Sequence, residues 1–165
     1  MASDIELFVL SERVGQKLRA AGRRLVTAES CTGGWVAKAC TDVAGSSQWL
    51  ECGFVTYSNV AKMRDLGVSE STLSSHGAVS EPTVREMAAG ALRVSGADIA
   101  VAISGIAGPD GGTPTKPVGT VWFGLAARRG SEVALFSQMR LFAGDREAVR
   151  RGAVERALQM VLAVE

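Results

Sequence analysis

A run of hydroxyl groups and glycines, Ser30-Cys31-Thr32-Gly33-Gly34, follows a short apolar segment and leads into a helical pattern. Free backbone N–H groups and the helix dipole allow such a helix N-terminus to bind a phosphate or a carboxylate. The run has neither the lysine of a P-loop nor the glycine spacing of a dinucleotide fingerprint. An anion-binding turn and an ordinary helix cap are both open interpretations of this segment.

A second glycine-rich run, from Ser104 to Gly112, directly follows the apolar segment Ile99–Ile103. Its glycines and proline fix an unusual backbone path, which lets the main chain approach a ligand and offer N–H donors to an oxyanion. The alternative is a surface loop with turn chemistry at Pro109-Asp110-Gly111. The position directly after an apolar strand favours a functional loop.

Tyr57, the only tyrosine, and Lys62 lie at the start of a short helical segment that Asn59 can cap. A lysine acts as a general base near neutral pH only if its pKa falls from about 10.4 toward 7. Desolvation in an apolar cleft can lower the pKa in this way. A lone lysine is more often a solvated surface group, so Lys62 needs a partner before it counts as catalytic.

The candidate nucleophiles in these loops are Ser30, Cys31, Ser46, Ser47 and Ser104. A histidine-assisted triad depends on His76, the single histidine, which is more typical of a turn or packing position. The sequence has no Gly-x-Ser-x-Gly elbow, and no Ser-x-x-Lys spacing includes Lys62. A serine–lysine pair would therefore have to assemble from separate loops.

The composition excludes several classes of function. The net charge is +1, from 18 basic and 17 acidic residues, which argues against sequence-independent binding to nucleic acid. The arginine pairs, among them Arg150-Arg151, are interpreted as part of a solvated face. Three scattered cysteines and one histidine supply neither a disulfide framework nor a zinc site. With no signal-peptide pattern and no membrane-length apolar run, we expect a cytoplasmic protein without metal, cofactor or membrane partner.

The elements that must position these residues alternate between helix and strand. The expected helices cover residues 4–21 and 59–66 and begin near Ser80 and Asp145; the expected strands cover 24–28, 52–57, 98–103, 118–127 and 132–142. This order predicts one α/β domain over residues 1–165, three-layer α/β/α with a mixed, mostly parallel sheet. The loops 29–34, 57–62 and 104–117 should meet at the carboxyl ends of the strands. Gly45-Ser46-Ser47 lies between a helix and a strand and must reach that edge from elsewhere.

Taken together, these motifs resemble the CinA C-terminal domain family of nicotinamide-nucleotide amidohydrolases. The similarity is carried by residues 27–34, 44–47, 53–59, 76–80, 104–112, 116–121 and 144–146, and it spans essentially the whole chain. Larger members of the family carry an additional N-terminal domain. This chain has no room for one and therefore resembles the stand-alone form.

The resemblance implies hydrolysis of the carboxamide of nicotinamide mononucleotide to nicotinate mononucleotide and ammonia, in pyridine nucleotide salvage. It also implies the absence of a metal or cofactor, and a homodimer or higher homo-oligomer. Its pattern assigns Ser47 as nucleophile, Lys62 as the base and Tyr57 as an aid to proton transfer or positioning. The residues it assigns to the nucleotide site are Ser30, Thr32, Gly33, Gly34, Ser104, Gly105 and, for the phosphate, Arg146.

Two other functions compete with this interpretation. A non-catalytic, nucleotide-binding regulatory module would share the anion-binding loops without needing Lys62 or Tyr57. A factor that contacts DNA is suggested only by the family name, and the near-neutral charge disfavours it. The choice of nucleophile between Ser47 and Ser30 is also open.

Overall fold

A five-stranded sheet with strand order β2-β1-β3-β4-β5 forms the centre of the computed structural model, which describes residues 2–165. The strands are β1 (Leu25–Glu29), β2 (Leu50–Val55), β3 (Ile99–Gly105), β4 (Thr120–Arg129) and β5 (Glu132–Leu141). β2, β1 and β3 are parallel, β4 pairs antiparallel with β3, and β5 pairs antiparallel with β4. Every strand except β4 therefore runs in one direction, which confirms the expected mixed sheet.

Helices cover both faces of this sheet and make three layers. They are α1 (Asp4–Ala20), α2 (Trp35–Thr41), α3 (Asn59–Leu66), α4 (Glu70–His76), α5 (Glu81–Ser95) and α6 (Arg146–Ala163), with a 3-10 helix at Ser46–Gln48. α1, α2 and α6 pack together on one face, whereas α5 lies on the other with α3 and α4 against it. Helix α4 was not predicted from the sequence, because its stretch carries a single buried apolar residue, Leu73, and no amphipathic pattern.

The central strand β3 is buried on both faces of the sheet, with large side chains on one face and small ones on the other. Ile99, Val101 and Ile103 pack into the core beneath α1 and α6. The alanines between them face α5. Small residues continue on β4, where a Cβ on Gly124 would lie 2.3 Å from the Val84 carbonyl oxygen of α5. The helix therefore lies close to the sheet, and this close packing holds the end of β3 in place.

The carboxyl ends of the three parallel strands lie side by side. Glu29, the last residue of β1, pairs with Val55 of β2 and with Ile103 of β3. The segments that follow these strands consequently begin next to one another, as the sequence analysis expected. No helix within residues 2–165 combines the length and the apolar character that crossing a membrane requires.

Candidate active site

Lys62 and Ser30 are in direct contact at this edge of the sheet. The Nζ atom of Lys62 donates a hydrogen bond to Ser30 Oγ at 3.0 Å and another to the Thr56 carbonyl at 2.7 Å. Ser58 caps α3 through the Ala61 N–H and thereby sets the start of the helix that carries Lys62. A serine from the turn after β1 and a lysine from α3 are thus brought together, and the amine is fixed by a second bond.

The amine of Lys62 is isolated from water and from any counter-charge. The residue is 1% exposed, and no carboxylate within residues 2–165 forms a salt bridge with it. Burial lowers the pKa of Lys62 below its ordinary value of 10.5, because the charged form loses its hydration. A larger neutral fraction is what a lysine needs to accept a proton. The neighbouring thiol is affected oppositely, since burial raises the pKa of Cys31 to about 11 and keeps it protonated.

Glu29 organises the turn that follows Ser30 from inside the protein. The residue is fully buried, and its carboxylate accepts hydrogen bonds from the backbone N–H groups of Gly34, Val36 and Ala37 at 3.0, 3.0 and 2.9 Å. Gly34 has φ of +93°, a conformation that a side chain disfavours. This role of Glu29 was not predicted from the sequence. The available signal was an acidic residue at a strand end just before a glycine-rich helix start.

Arg150 of α6 holds the same turn from the opposite side. Its Nε donates to the Cys31 carbonyl and its Nη2 to the Thr32 carbonyl, each at 3.0 Å. The guanidinium also lies over the Trp35 ring, 5.4 Å from the centroid. The interpretation of Arg150 as part of a solvated face is therefore wrong. Its neighbour Arg151 forms the ion pairs expected of a surface residue.

Ser104 and Gly105 end β3 beside Ser30. The Ser104 hydroxyl is buried and donates to the Ala78 carbonyl at 2.7 Å. A Cβ on Gly105 would lie 2.7 Å from Val121 Cγ2. Both residues lie at the predicted edge of the sheet. The hydrogen bond to Ala78 accounts for a serine at position 104, and the contact with Val121 accounts for a glycine at position 105. Their predicted part in nucleotide binding stays a prediction.

Arg146, the first residue of α6, links two of the predicted loops. Its Nη2 donates to the Tyr57 hydroxyl at 2.9 Å, and its Nη1 donates to the Gly108 carbonyl at 2.7 Å. Both side chains lie near the sheet edge, and Tyr57 is 60% exposed. Within residues 2–165 no hydrogen bond joins Tyr57 to Ser30 or Lys62. The arrangement leaves Arg146 accessible to an anion and Tyr57 at the rim.

Ser47 does not meet Lys62 within the chain. It lies in the 3-10 helix that precedes β2, and its carbonyl accepts a hydrogen bond from Arg24, which precedes β1. Lys62 follows the other end of β2, so the six residues of that strand, about 20 Å at ~3.3 Å per residue, separate the two. Within the described chain the contact partner of Lys62 is therefore Ser30, and the pairing of Ser47 with Lys62 stays a prediction. The direction of β2 is the physical reason that Ser47 and Lys62 lie apart.

Among the described residues, two buried hydroxyl groups at this edge have no hydrogen-bond partner. They belong to Thr32, in the turn after β1, and to Thr56, directly after β2. Buried polar groups are normally satisfied, so both are available to a bound polar molecule. Within residues 2–165 no three His, Cys, Asp or Glu side chains come together as a metal site would require. The predicted independence from metal stays a prediction.

Comparisons with known proteins agree on one family. The profile of the CinA C-terminal domain matches residues 8–164. Nicotinamide-nucleotide amidohydrolase PncC of Escherichia coli K12 is 62% identical over 157 residues, covering 95% of this chain and 93% of the relative. The protein of the same name from Pseudomonas putida is 56% identical over 153 residues, covering 93% of each.

The fold comparison gives the same result. The crystal structure of the competence/damage inducible protein CihA from Agrobacterium tumefaciens superimposes with a TM-score of 0.90 at 44% identity, covering 99% of this chain and 96% of that one. Sequence and fold thus agree over nearly the full length. The chain belongs to the CinA C-terminal domain family.

Proposed function

We propose that this chain is a nicotinamide-nucleotide amidohydrolase that converts nicotinamide mononucleotide and water to nicotinate mononucleotide and ammonia, with Ser30 as nucleophile and Lys62 as its base. The observation that carries the proposal is the buried Lys62 amine, which lies 3.0 Å from Ser30 Oγ. The names of the Escherichia coli and Pseudomonas putida relatives support the amide substrate.

The first half of the reaction forms an acyl-enzyme. Neutral Lys62 accepts the Ser30 proton while Ser30 Oγ bonds to the carboxamide carbon, and the carbonyl electron pair moves onto its oxygen. Collapse of this intermediate breaks the carbon–nitrogen bond. Lys62 returns the proton to the leaving nitrogen, which departs as ammonia. The bond from Lys62 to the Thr56 carbonyl keeps the amine in place through both transfers.

The second half regenerates the serine. A water molecule gives its proton to neutral Lys62 and attacks the acyl carbon. The second tetrahedral intermediate then releases Ser30 Oγ, which takes the proton back from Lys62. The product carries the new carboxylate. The lowered pKa of Lys62, caused by burial, suits a group that must be neutral at the start of each half-reaction.

The remainder of the nucleotide would occupy the neighbouring loops. Arg146 lies at the N-terminus of α6, where helix N–H groups and the guanidinium can both meet a phosphate. The turn at Thr32–Gly34 and the β3 end at Ser104 and Gly105 would line the pyridine and ribose. Tyr57 positions the Arg146 guanidinium through their hydrogen bond.

Ammonia release by the purified chain, with nicotinate mononucleotide identified chromatographically, tests the proposal. Ser30→Ala should lower kcat by at least ~10³-fold, because the covalent route is lost. Ser47→Ala tests the competing nucleophile. Loss of turnover in Ser47→Ala with retention in Ser30→Ala would refute the assignment of Ser30. Binding of the nucleotide without ammonia release by the wild type would favour a regulatory module.

Three further expectations stay proposals. Turnover that is unchanged after treatment with a chelator and dialysis would support a metal-independent reaction, and its loss would refute one. A mass of two or more chains in light scattering would support the homo-oligomer. An oligomer could also bring Ser47 of one copy close to Lys62 of another. Fractionation of the native host would test the cytoplasmic location.

A further inference from the structure

Two backbone N–H groups beside the Ser30 hydroxyl have no acceptor on another residue. In the turn after β1, the Ser30 N–H donates to the Ile103 carbonyl and the Gly33 N–H donates to the Ser30 carbonyl, each at 3.0 Å. Within residues 2–165 the intervening N–H groups of Cys31 and Thr32 donate to no other residue, and the Cys31 N–H contacts only its own thiol. Cys31 and Thr32 are 6% and 0% exposed. Unpaired buried N–H groups are rare in native proteins.

The contact with Lys62 occupies one acceptor position of the Ser30 hydroxyl. Ser30 begins a tight turn, since Gly33 bonds back to Ser30 and Trp35 bonds back to Thr32. A serine at that position ordinarily accepts a hydrogen bond from the N–H groups of the turn. Here its hydroxyl is engaged by Lys62 instead.

Arg150 fixes the direction in which the Thr32 N–H points. Its two bonds hold the carbonyl groups of Cys31 and Thr32 toward α6. The carbonyl and the following N–H of a trans peptide point in opposite directions. The Thr32 N–H therefore points away from α6. The Cys31 N–H points away from the Gly33 N–H, because the carbonyl of its own peptide unit, that of Ser30, accepts from Gly33.

We propose that the Cys31 and Thr32 N–H groups form an oxyanion hole for the amide hydrolysis, and that Arg150 is the positioning residue that aligns the Thr32 donor. This inference rests on the proposed function. When Ser30 Oγ bonds to the carboxamide carbon, the carbonyl oxygen receives the electron pair and becomes an oxyanion within reach of both donors. The N–H of the residue after the nucleophile has the same role in other serine hydrolases.

Arg151 provides a matched control for Arg150. It follows Arg150 on α6, and its guanidinium also lies over Trp35, 4.9 Å from the ring centroid. Its hydrogen bonds go to Ala2, Asp4 and Glu147, and none goes to the turn after β1. Both substitutions remove a cation from the same ring, but only Arg150 bonds to the turn carbonyls.

The test compares Arg150→Met, Arg150→Lys and Arg151→Met with the wild type, using nicotinamide mononucleotide. We expect Arg150→Met to lower kcat by ~10²- to 10³-fold, the usual loss of an oxyanion donor, with KM changed less than ~3-fold. Arg150→Lys, which can reach one carbonyl but not both, should be intermediate. Arg151→Met should keep kcat within ~3-fold of the wild type. A second pair of variants, Arg150→Ala and Arg151→Ala, tests chemical rescue. Added methylguanidinium should restore part of the kcat of Arg150→Ala and leave that of Arg151→Ala unchanged.

Each alternative result is distinguishable. An unchanged kcat in Arg150→Met and Arg150→Lys, an equal loss in Arg151→Met, or an increase in KM alone would overturn the role of Arg150. Circular dichroism identifies a variant that does not fold, and the Arg150→Lys kcat then decides the question. A wild-type chain that releases no ammonia would refute the proposed function and this inference with it. Wild-type turnover that Arg150→Met retains would refute only the inference.

Discussion

The Lys62 amine lies 3.0 Å from the Ser30 hydroxyl, although 32 positions separate the two residues in the sequence. Burial lowers the pKa of this lysine, and only its neutral form can accept the serine proton. We therefore expect kcat/KM to rise with pH through the pKa of Lys62 and to level off above it. The apparent pKa of this rise should lie below the ordinary value of 10.5.

The pH profile of ammonia release measures this prediction directly. Lys17 is a suitable control, because its amine binds the Leu162 carbonyl at 2.7 Å, away from the sheet edge that carries Ser30. Lys17→Met should keep the same profile, whereas Lys62→Met should abolish turnover. A rate that is flat or falls between pH 6 and about 10 would contradict the assignment of Lys62 as a base.

Glu29 should be important for stability although it takes no part in the chemistry. Glu29→Ala would leave three N–H groups without their acceptor, that of Val36 buried and those of Gly34 and Ala37 partly buried. Each such group costs ~1–3 kcal/mol, so we expect the free energy of unfolding to fall by at least about 3 kcal/mol. Urea denaturation measures this change. Glu51→Ala, which removes a partly exposed pair with Arg24, should cost less than ~1 kcal/mol.

Arg146 should determine the preference for a phosphorylated substrate. We expect Arg146→Gln to lower kcat/KM for nicotinamide mononucleotide by ~10- to 100-fold, because a charge-assisted contact with the phosphate is lost. The same variant should change kcat/KM for nicotinamide riboside, which lacks the phosphate, by less than ~3-fold. Equal losses for the two substrates would show that Arg146 acts elsewhere. Tyr57→Phe, which removes only the partner of Nη2, should have a smaller effect.

Gly105 should resist substitution because of packing and independently of any ligand. A Cβ at this position would approach Val121 Cγ2 at 2.7 Å and the Thr120 carbonyl at 2.9 Å. Gly105→Ala is therefore expected to lower the free energy of unfolding by ~1–3 kcal/mol, the usual cost of overpacking. The thermal unfolding of the variant without substrate checks this. An unchanged midpoint would indicate that β4 adjusts without cost.

The sequence predicted the position of the site better than its contacts. Strand ends could be located from the apolar run Ile99–Ile103 and from the glycines that follow it, and parallel strands place their ends together. The partner of Lys62 could not be derived in this way, because Ser30 and Ser47 are both serines in glycine-containing loops. Only the direction of β2 separates them.

Sequence patterns do not predict long-range side-chain contacts. Arg150 bonds to carbonyls 119 and 118 positions away, and nothing in its local sequence distinguishes it from Arg151. The difference arises only when α6 packs beside the turn after β1. Glu29 is similar, since its three partners are backbone groups that any sequence would supply.

The loop between β3 and β4 begins and ends at one edge because β4 returns antiparallel to β3. Two hydrogen bonds close it at the base, from the Ile106 N–H to the Thr120 carbonyl at 2.9 Å and from the Gly119 N–H to the Ile106 carbonyl at 2.8 Å. Residues added or removed between these points would leave Ser30 and Lys62 where they are. The recognition of new nucleotides could therefore evolve in this loop by insertion and deletion while the chemistry of amide cleavage is inherited unchanged.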